Sequence, residues 1–232
     1  MVSIIIAVKD HKDLTKVCLD SFGLYTDSDF EIIIVDDGSK EETRNWLKSQ
    51  PYTVIRHDES LGWCKSINDG LKEAHGDFIV LSNNDIVATP HWDSRMLAHF
   101  YRLPELGLLG PTSTKIEGRQ SVDFNKEGID FEYWGWLIFF FVMMNRACLE
   151  RVGMLDERFG LGGQDDADYC MRAREANFQI GIARDVYIYH YGSATFRKLF
   201  QNSISESKVY AESRQTILKD KYARNPLWKV SR

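Results

Sequence analysis

Four short runs of the chain carry side chains fit for chemistry. Ser82-Asn83-Asn84-Asp85 follows the apolar run Phe78-Ile79-Val80-Leu81, so a buried strand delivers oxygen-rich side chains to its C-terminal tip. Val35-Asp36-Asp37-Gly38-Ser39 repeats that arrangement with two carboxylates, and Gly38 permits a tight turn after them. Gly162-Gly163-Gln164-Asp165-Asp166 opens a helix with two acids after a flexible approach, and His190 sits at a strand end in Tyr189-His190-Tyr191-Gly192. Oxygen ligands suit hard cations such as Mg²⁺ and Mn²⁺, which commonly bring phosphates with them. Adjacent carboxylates repel unless each finds a donor or a cation. A nucleobase N–H, a ribose hydroxyl or a metal would each satisfy Asp37.

Each run also has a local reading. Ser82 to Asp85 makes a polar turn after a strand, and Asp37 or Ser39 caps the helix that starts near Lys40. Acids at a helix N-terminus are stabilised by the dipole by roughly 0.3–1 kcal/mol each. That accounts for one acid, but not for Asp165, Asp166 and Asp168 within four residues.

These tips need elements behind them. Val2 to Val8, Phe30 to Val35, Thr53 to Ile55 and Phe78 to Leu81 read as strands. Between them, Leu14 to Phe22, Glu41 to Lys48 and Trp63 to Ala74 read as helices, the last with Gly76 as its C-cap, and His91 to Tyr101 reads as a fourth. Such alternation predicts a mostly parallel sheet with helices on both faces. After Gly107 the pattern loosens. Gly107 to Pro111 and Thr112 to Ile116 are short strand-like pieces, and residues 118 to 133 read as a polar loop. Trp134 to Asn145 is dense in aromatics, with Phe139 to Phe141 read as a core strand. Trp134 and Trp136 are candidates for stacking on an acceptor sugar. Ala147 to Val152 and Gln164 to Ala176 read as helices, Val186 to Tyr191 as a strand, and Ser203 to Tyr222 as a long amphipathic helix.

The bulk numbers narrow the class. The 232 residues carry a net charge of -5, which argues against non-specific nucleic-acid binding. Cys18, Cys64, Cys148 and Cys170 form no CxxC pair and read as buried thiols of a reducing compartment. Leu137 to Met144, the longest apolar stretch, is too short for a bilayer, which takes about 20 residues. No secretory signal leads the chain, so a cytoplasmic location is expected, with peripheral membrane contact left open. There is no Gly-x-Gly-x-x-Gly turn and no P-loop, so phosphates must be neutralised by other means.

Taken in order, these runs resemble the family 2 glycosyltransferases, with the nucleotide-diphosphosugar transferase (GT-A) fold. Val2 to Val8 resembles the opening strand and Ile34 to Ser39 the second. Leu61-Gly62-Trp63-Cys64-Lys65-Ser66-Ile67-Asn68-Asp69-Gly70 resembles the family's Asn-x-Gly helix. Ser82 to Asp85 stands at its metal motif. Gly153 to Phe159, Asp165-Asp166-Ala167-Asp168 and Arg172 resemble its acceptor loop and catalytic helix. The resemblance implies an α/β GT-A domain with a Rossmann-like nucleotide half over residues 1–106. Residues 107–232 would form an acceptor and catalytic half with a smaller mixed sheet. It implies donor-nucleotide contacts at Ala7, Lys9, Asp37, Lys65 and Asn84, and a Mn²⁺ or Mg²⁺ ion at Asp85 with His190. Asp166 would be the general base and Asp165 an acceptor contact, with Trp134 and Trp136 beside the acceptor.

Two departures stand out: Ser60 where Asn is common, and Asn83 where the metal motif usually opens with Asp. One carboxylate fewer makes His190 and the donor diphosphate the natural completion of the metal shell. The implied reaction is inverting displacement of a sugar from a nucleotide-diphosphate donor onto a glycan, lipid-linked or protein acceptor, within polysaccharide or glycoconjugate biosynthesis. A base ionised at neutral pH suits a carboxylate near its ordinary pKa. The alternatives are a sugar-nucleotide nucleotidyltransferase, whose glycine-rich basic loop is missing from Lys9 to Lys12, and a non-catalytic sugar-nucleotide-binding protein. The basic residues from Arg197 to Arg224 make the C-terminal helix a covering helix, a homo-oligomer contact or a membrane-surface helix.

Overall fold

The computed structural model describes residues 1–192 and 204–223. The chain runs β1 (Val2–Val8), α1 (Lys12–Tyr25), β2 (Phe30–Asp37), α2 (Glu41–Leu47), β3 (Thr53–His57), α3 (Trp63–Glu73) and β4 (Phe78–Asn83). It continues through β5 (Ile86–Val87), α4 (Trp92–Arg102), β6 (Leu106–Thr112), β7 (Phe131–Tyr133), β8 (Phe141–Asn145), α5 (Arg146–Val152), α6 (Asp165–Glu175), β9 (Gln179–Tyr187), β10 (Tyr189–His190) and α7 (Ile204–Tyr222).

Among the described residues, eight strands form one sheet in the order β3-β2-β1-β4-β8-β6-β9-β7. The first four are parallel, as the alternation predicts. The mixed portion is continuous with them, because β8 inserts antiparallel between β4 and β6. A two-stranded antiparallel piece pairs β5 with β10, placing His190 opposite Ile86. Both faces of the sheet are buried. In β1, Ile4, Ile6 and Val8 pack with Phe22 and Trp92, while Ile5 packs with Ile67 and Leu71 on the other face. Burial on both sides is why these strands read as unbroken apolar runs. The register sets Ala7 opposite Val35 and Asn83, so the tips of β1, β2 and β4 end level. A crevice at the carboxyl ends of parallel strands is where such sheets bind ligands.

Several expectations are corrected. Gly76 is no C-cap: α3 gives way at Ala74, which is extended (ψ 128°). A Cβ at Gly76 would stand 2.7 Å from the backbone nitrogen of Ser3, so glycine is needed for close approach to β1. Thr112 ends β6, and the next residues leave the sheet. The expected loop at 118 to 133 holds the edge strand β7, antiparallel to β9. Strand β9 begins at Gln179, seven residues before the expected Val186. Its polar Arg184 disguises an inward position, where the guanidinium is buried against Glu132. The four cysteines are buried and unpaired with one another.

The expected start of the last helix at Ser203, and its basic residues Arg197, Lys198 and Arg224, lie outside the described residues. Within α7, Leu218 and Tyr222 are buried while Val209 is 65% exposed, so its apolar stripe is shorter than an amphipathic helix would show. Among the described residues no helix is long and apolar enough to cross a membrane.

Candidate functional site

A cavity of about 720 Å³ opens at the strand tips. It gathers Ala7, Lys9, Asp37, Asn84, Asp85, Asp165, Asp166 and His190 from stretches far apart in the chain. Its size is that of a small-molecule site.

Asp85 follows β4, and the β5–β10 pairing brings His190 beside it, with Nε2 3.3 Å from Asp85 Oδ1. Asn83 Nδ2 also lies 3.3 Å from His190 Nε2. The ring stacks on Phe140 at 5.0 Å between centroids, which fixes its plane. His190 Nδ1 is buried with no hydrogen-bond partner among the described residues, an orphaned polar atom on the ring whose Nε2 faces Asp85. No cluster of three or more His, Cys, Asp or Glu among the described residues could hold a metal. Asp85 and His190 nevertheless fit a cation of the Mg²⁺ type, which takes few protein ligands and fills its shell with phosphate oxygens and water. Asn84 lines the cavity, but its amide donates to Thr15 Oγ1 at 2.9 Å.

Asp37, at the tip of β2, does not wait for a ligand. Its Oδ1 accepts from Leu61 N (2.7 Å) and lies 3.1 Å from His57 Nδ1, while Oδ2 accepts from Ser60 Oγ (2.6 Å) and Gly62 N (3.1 Å). Burial raises its pKa, but these hydrogen bonds outweigh burial and hold it below the ordinary carboxylate value. Asp37 thus shapes the turn that starts α3. Ser60, the departure from the family's Asn, is one of its four partners. Asp36 instead pairs with Arg56 at 2.6 Å and accepts from Ser39 N. Neither Asp37 nor Ser39 caps α2, whose N-cap is Lys40.

Three predicted contacts stand apart from the cavity lining. Lys65 Nζ lies 2.6 Å from both carboxylate oxygens of Asp69, one helical turn on. Lys65 and Lys72 together overcome burial and draw Asp69 down to about 2. Trp134 is 36% exposed with the Arg119 guanidinium over its ring at 5.2 Å, and Trp136 is 38% exposed. Asn68 and Gly70 are packing residues. Asn68 Nδ2 donates to Leu155 O and its Oδ1 accepts from Leu155 N, each at 2.9 Å, and a Cβ at Gly70 would meet Ile5 at 2.5 Å.

The two acids at the start of α6 differ. Asp165 is buried, its Oδ2 accepting from Trp63 Nε1 (3.0 Å) and its Oδ1 from Gly163 N (2.7 Å). Asp166 is half-buried and accepts from Ala167 N at 2.8 Å. Burial raises both; it pushes Asp166 up to about 7, with the Asp165 carboxylate adding to the rise. An ordinary pKa for this group is therefore not what the fold provides. Asp168, the third acid, turns away to Arg172 (2.9 Å), Lys221 (2.6 Å) and the Tyr222 hydroxyl (2.9 Å), and ties α7 to α6.

Sequence reasoning missed Lys115 and underrated Trp63, Phe139 and Phe140, all of which line the cavity. Phe139 and Phe140 read as core and are buried, yet they also form cavity wall. Nothing local marks Lys115, which reaches the site only because the chain leaves the sheet after Thr112.

The chain is similar to known proteins in sequence and in fold. An uncharacterized glycosyltransferase of Haemophilus influenzae is 32% identical over 110 residues, 47% of this chain and 37% of that protein. The chain spans about a sixth to two fifths of the length of such curated relatives. The solved structure of GalNAc-T7 with UDP, GalNAc and Mn²⁺ superposes with a TM-score of 0.69 at 12% identity, covering 98% of this chain and 58% of that one. The mannosyltransferase PcManGT from Pyrobaculum calidifontis, in complex with GDP-Man and Mn²⁺, gives 0.64 at 18%, covering 84% and 59%. At these identities the two structures speak for the GT-A fold. The model of glycosyl transferase family 2 matches residues 3–157, two thirds of the sequence, and the chain belongs to that family.

Proposed function

We propose that this domain transfers a sugar from a nucleoside-diphosphate donor to an acceptor hydroxyl with inversion, residues 1–106 holding the donor and residues 107–232 the acceptor. The observation that carries the reading is the meeting of Asp85 and His190 with the Asp165–Asp166 pair in one cavity. The neighbours' complexes with Mn²⁺ and UDP or GDP-Man support a nucleotide donor and a divalent cation here. Held by Asp85 and His190, Mn²⁺ or Mg²⁺ would supply positive charge against a departing diphosphate. Lys9 and Lys115, both in the cavity lining, add side-chain cations. Asp37 acts on the donor through the turn it fixes. Asp166 takes the proton from the attacking hydroxyl, and a pKa near 7 matches a base to neutral pH. Direct attack opposite the leaving group inverts the anomeric carbon.

The test is thermal denaturation with UDP and with GDP, with and without Mn²⁺. A ligand at about 100 times its Kd adds about 2.7 kcal/mol, which raises Tm by roughly 5–10 °C for a chain of this size. Asp85→Ala should abolish the Mn²⁺-dependent part. No shift with either diphosphate plus Mn²⁺ overturns the donor assignment.

A further inference from the structure

The loop that delivers Asp165 and Asp166 is rich in glycine, and its own hydrogen bonds are few: Gly160 N to Glu157 O (3.0 Å), Gly162 N to Phe159 O (3.1 Å) and Gly163 N to Asp165 Oδ1 (2.7 Å). Gly160, Gly162 and Gly163 have positive φ (59°, 100° and 91°), and Gln164 follows at 75°. Glycine loses more conformational freedom on ordering than any other residue. External contacts add to these bonds in fixing where α6 begins, and they come from two sides. From α3, Cys64 N donates to Gly160 O at 3.0 Å, and Trp63 Nε1 donates to Asp165. From α7, the Tyr210 hydroxyl lies 2.8 Å from Phe159 O and 2.9 Å from Gly162 O, so its one proton serves two carbonyls of the turn. The Tyr210 ring also covers Gly163, whose missing Cβ would sit 3.9 Å from Cε1. Arg214 Nη1 donates to Arg158 O on the same side. Farther along α7, Lys221 holds Asp156 at 2.9 Å and Asp168 at 2.6 Å.

We propose that Tyr210 is a positioning residue for sugar transfer: its hydroxyl fixes the Phe159–Gly162 turn and thereby the place of Asp165 and Asp166 in the cavity wall. Tyr210 itself is not part of the cavity lining, so it acts through the loop. The proposal rests on the reading of Asp166 as base.

Tyr210→Phe in the full chain removes only the hydroxyl. Amide hydrogen exchange at Gly162 to Ala167 should speed up about tenfold, the worth of one hydrogen bond of about 1.4 kcal/mol, with β1 to β4 unchanged. Release of UDP or GDP from the corresponding nucleotide sugars with Mn²⁺ should fall about tenfold in kcat, while the Kd for UDP or GDP with Mn²⁺ stays within about twofold. Arg214→Gln, which frees the same turn at Arg158, should change both readouts in the same direction. Unchanged exchange in the loop overturns the proposal, as does wild-type kcat with a loosened loop or a loss confined to donor binding. Asp166→Asn run in parallel separates the two readings: turnover that survives it removes the base, while exchange in Tyr210→Phe alone decides whether the hydroxyl holds the loop.

Discussion

The protonation of Asp166 should set the pH profile of this domain. Its carboxyl is pushed up to about 7, first by burial and then by the neighbouring Asp165. If the ionised form accepts the proton, kcat/KM rises about tenfold per pH unit up to about 7 and levels near 8. At about pH 6 only about a tenth of the molecules carry the ionised base, whereas an ordinary Asp carboxylate would already be almost fully ionised. Asp165→Asn removes the adjacent charge but keeps an oxygen for Trp63 or Gly163. The midpoint should then fall, by about one unit for each 1.4 kcal/mol of repulsion removed. The assay is the initial rate of nucleoside-diphosphate release at constant ionic strength and saturating Mn²⁺. A profile flat from about pH 5.5 to 8, or a midpoint that rises in Asp165→Asn, would falsify the assignment. Stability supplies an independent check of sign. Because the folded-state pKa is raised, the contribution of protonated Asp166 is fully present below about 4 and is lost as pH rises through about 7. Asp166→Asn should therefore melt above the wild type at about pH 8 and level with it at about pH 4.

Two further substitutions test the corrections that the fold made. Gly76→Ala should cost about 1–3 kcal/mol in denaturant unfolding, because its Cβ would meet Ser3 backbone at 2.7 Å. Gly76→Asn should cost at least as much; a milder Asn would restore the C-cap reading, since Asn tolerates that conformation. Lys65→Ala should leave the Kd for UDP or GDP with Mn²⁺ within about twofold and cost under about 1 kcal/mol of stability, because Lys72 and His57 still face Asp69. A loss of binding beyond tenfold would return Lys65 to the diphosphate.

Much of the site was legible because strand tips announce themselves locally. An unbroken apolar run followed by Asp, Asn or Ser is a buried strand ending in polar side chains, and both such runs border the cavity. Gly162 and Gly163 before paired acids likewise marked a turn into a helix. What stayed hidden depends on through-space neighbours. Lys65 carries the right charge in the right helix, but Asp69 one turn away captures it at 2.6 Å. Asp168 shares its segment with Asp165 and Asp166, yet helical rotation sends it to Arg172 and Lys221. The first part of β9, before Val186, escaped notice because its inward Arg184 is neutralised by Glu132 from a neighbouring strand.

The sequence by itself determined the alternation of strands and helices, the parallel sheet and the set of acids and amides at its carboxyl edge, since these follow from residue order and side-chain periodicity. Tertiary structure alone decided which of those groups meet. The β5–β10 register sets His190 beside Asp85, packing from α3 and α7 holds the loop before Asp165, and burial moves Asp166 from an ordinary carboxylate to a group that titrates near 7. Proximity and desolvation belong to the folded chain, and no local pattern of residues encodes them.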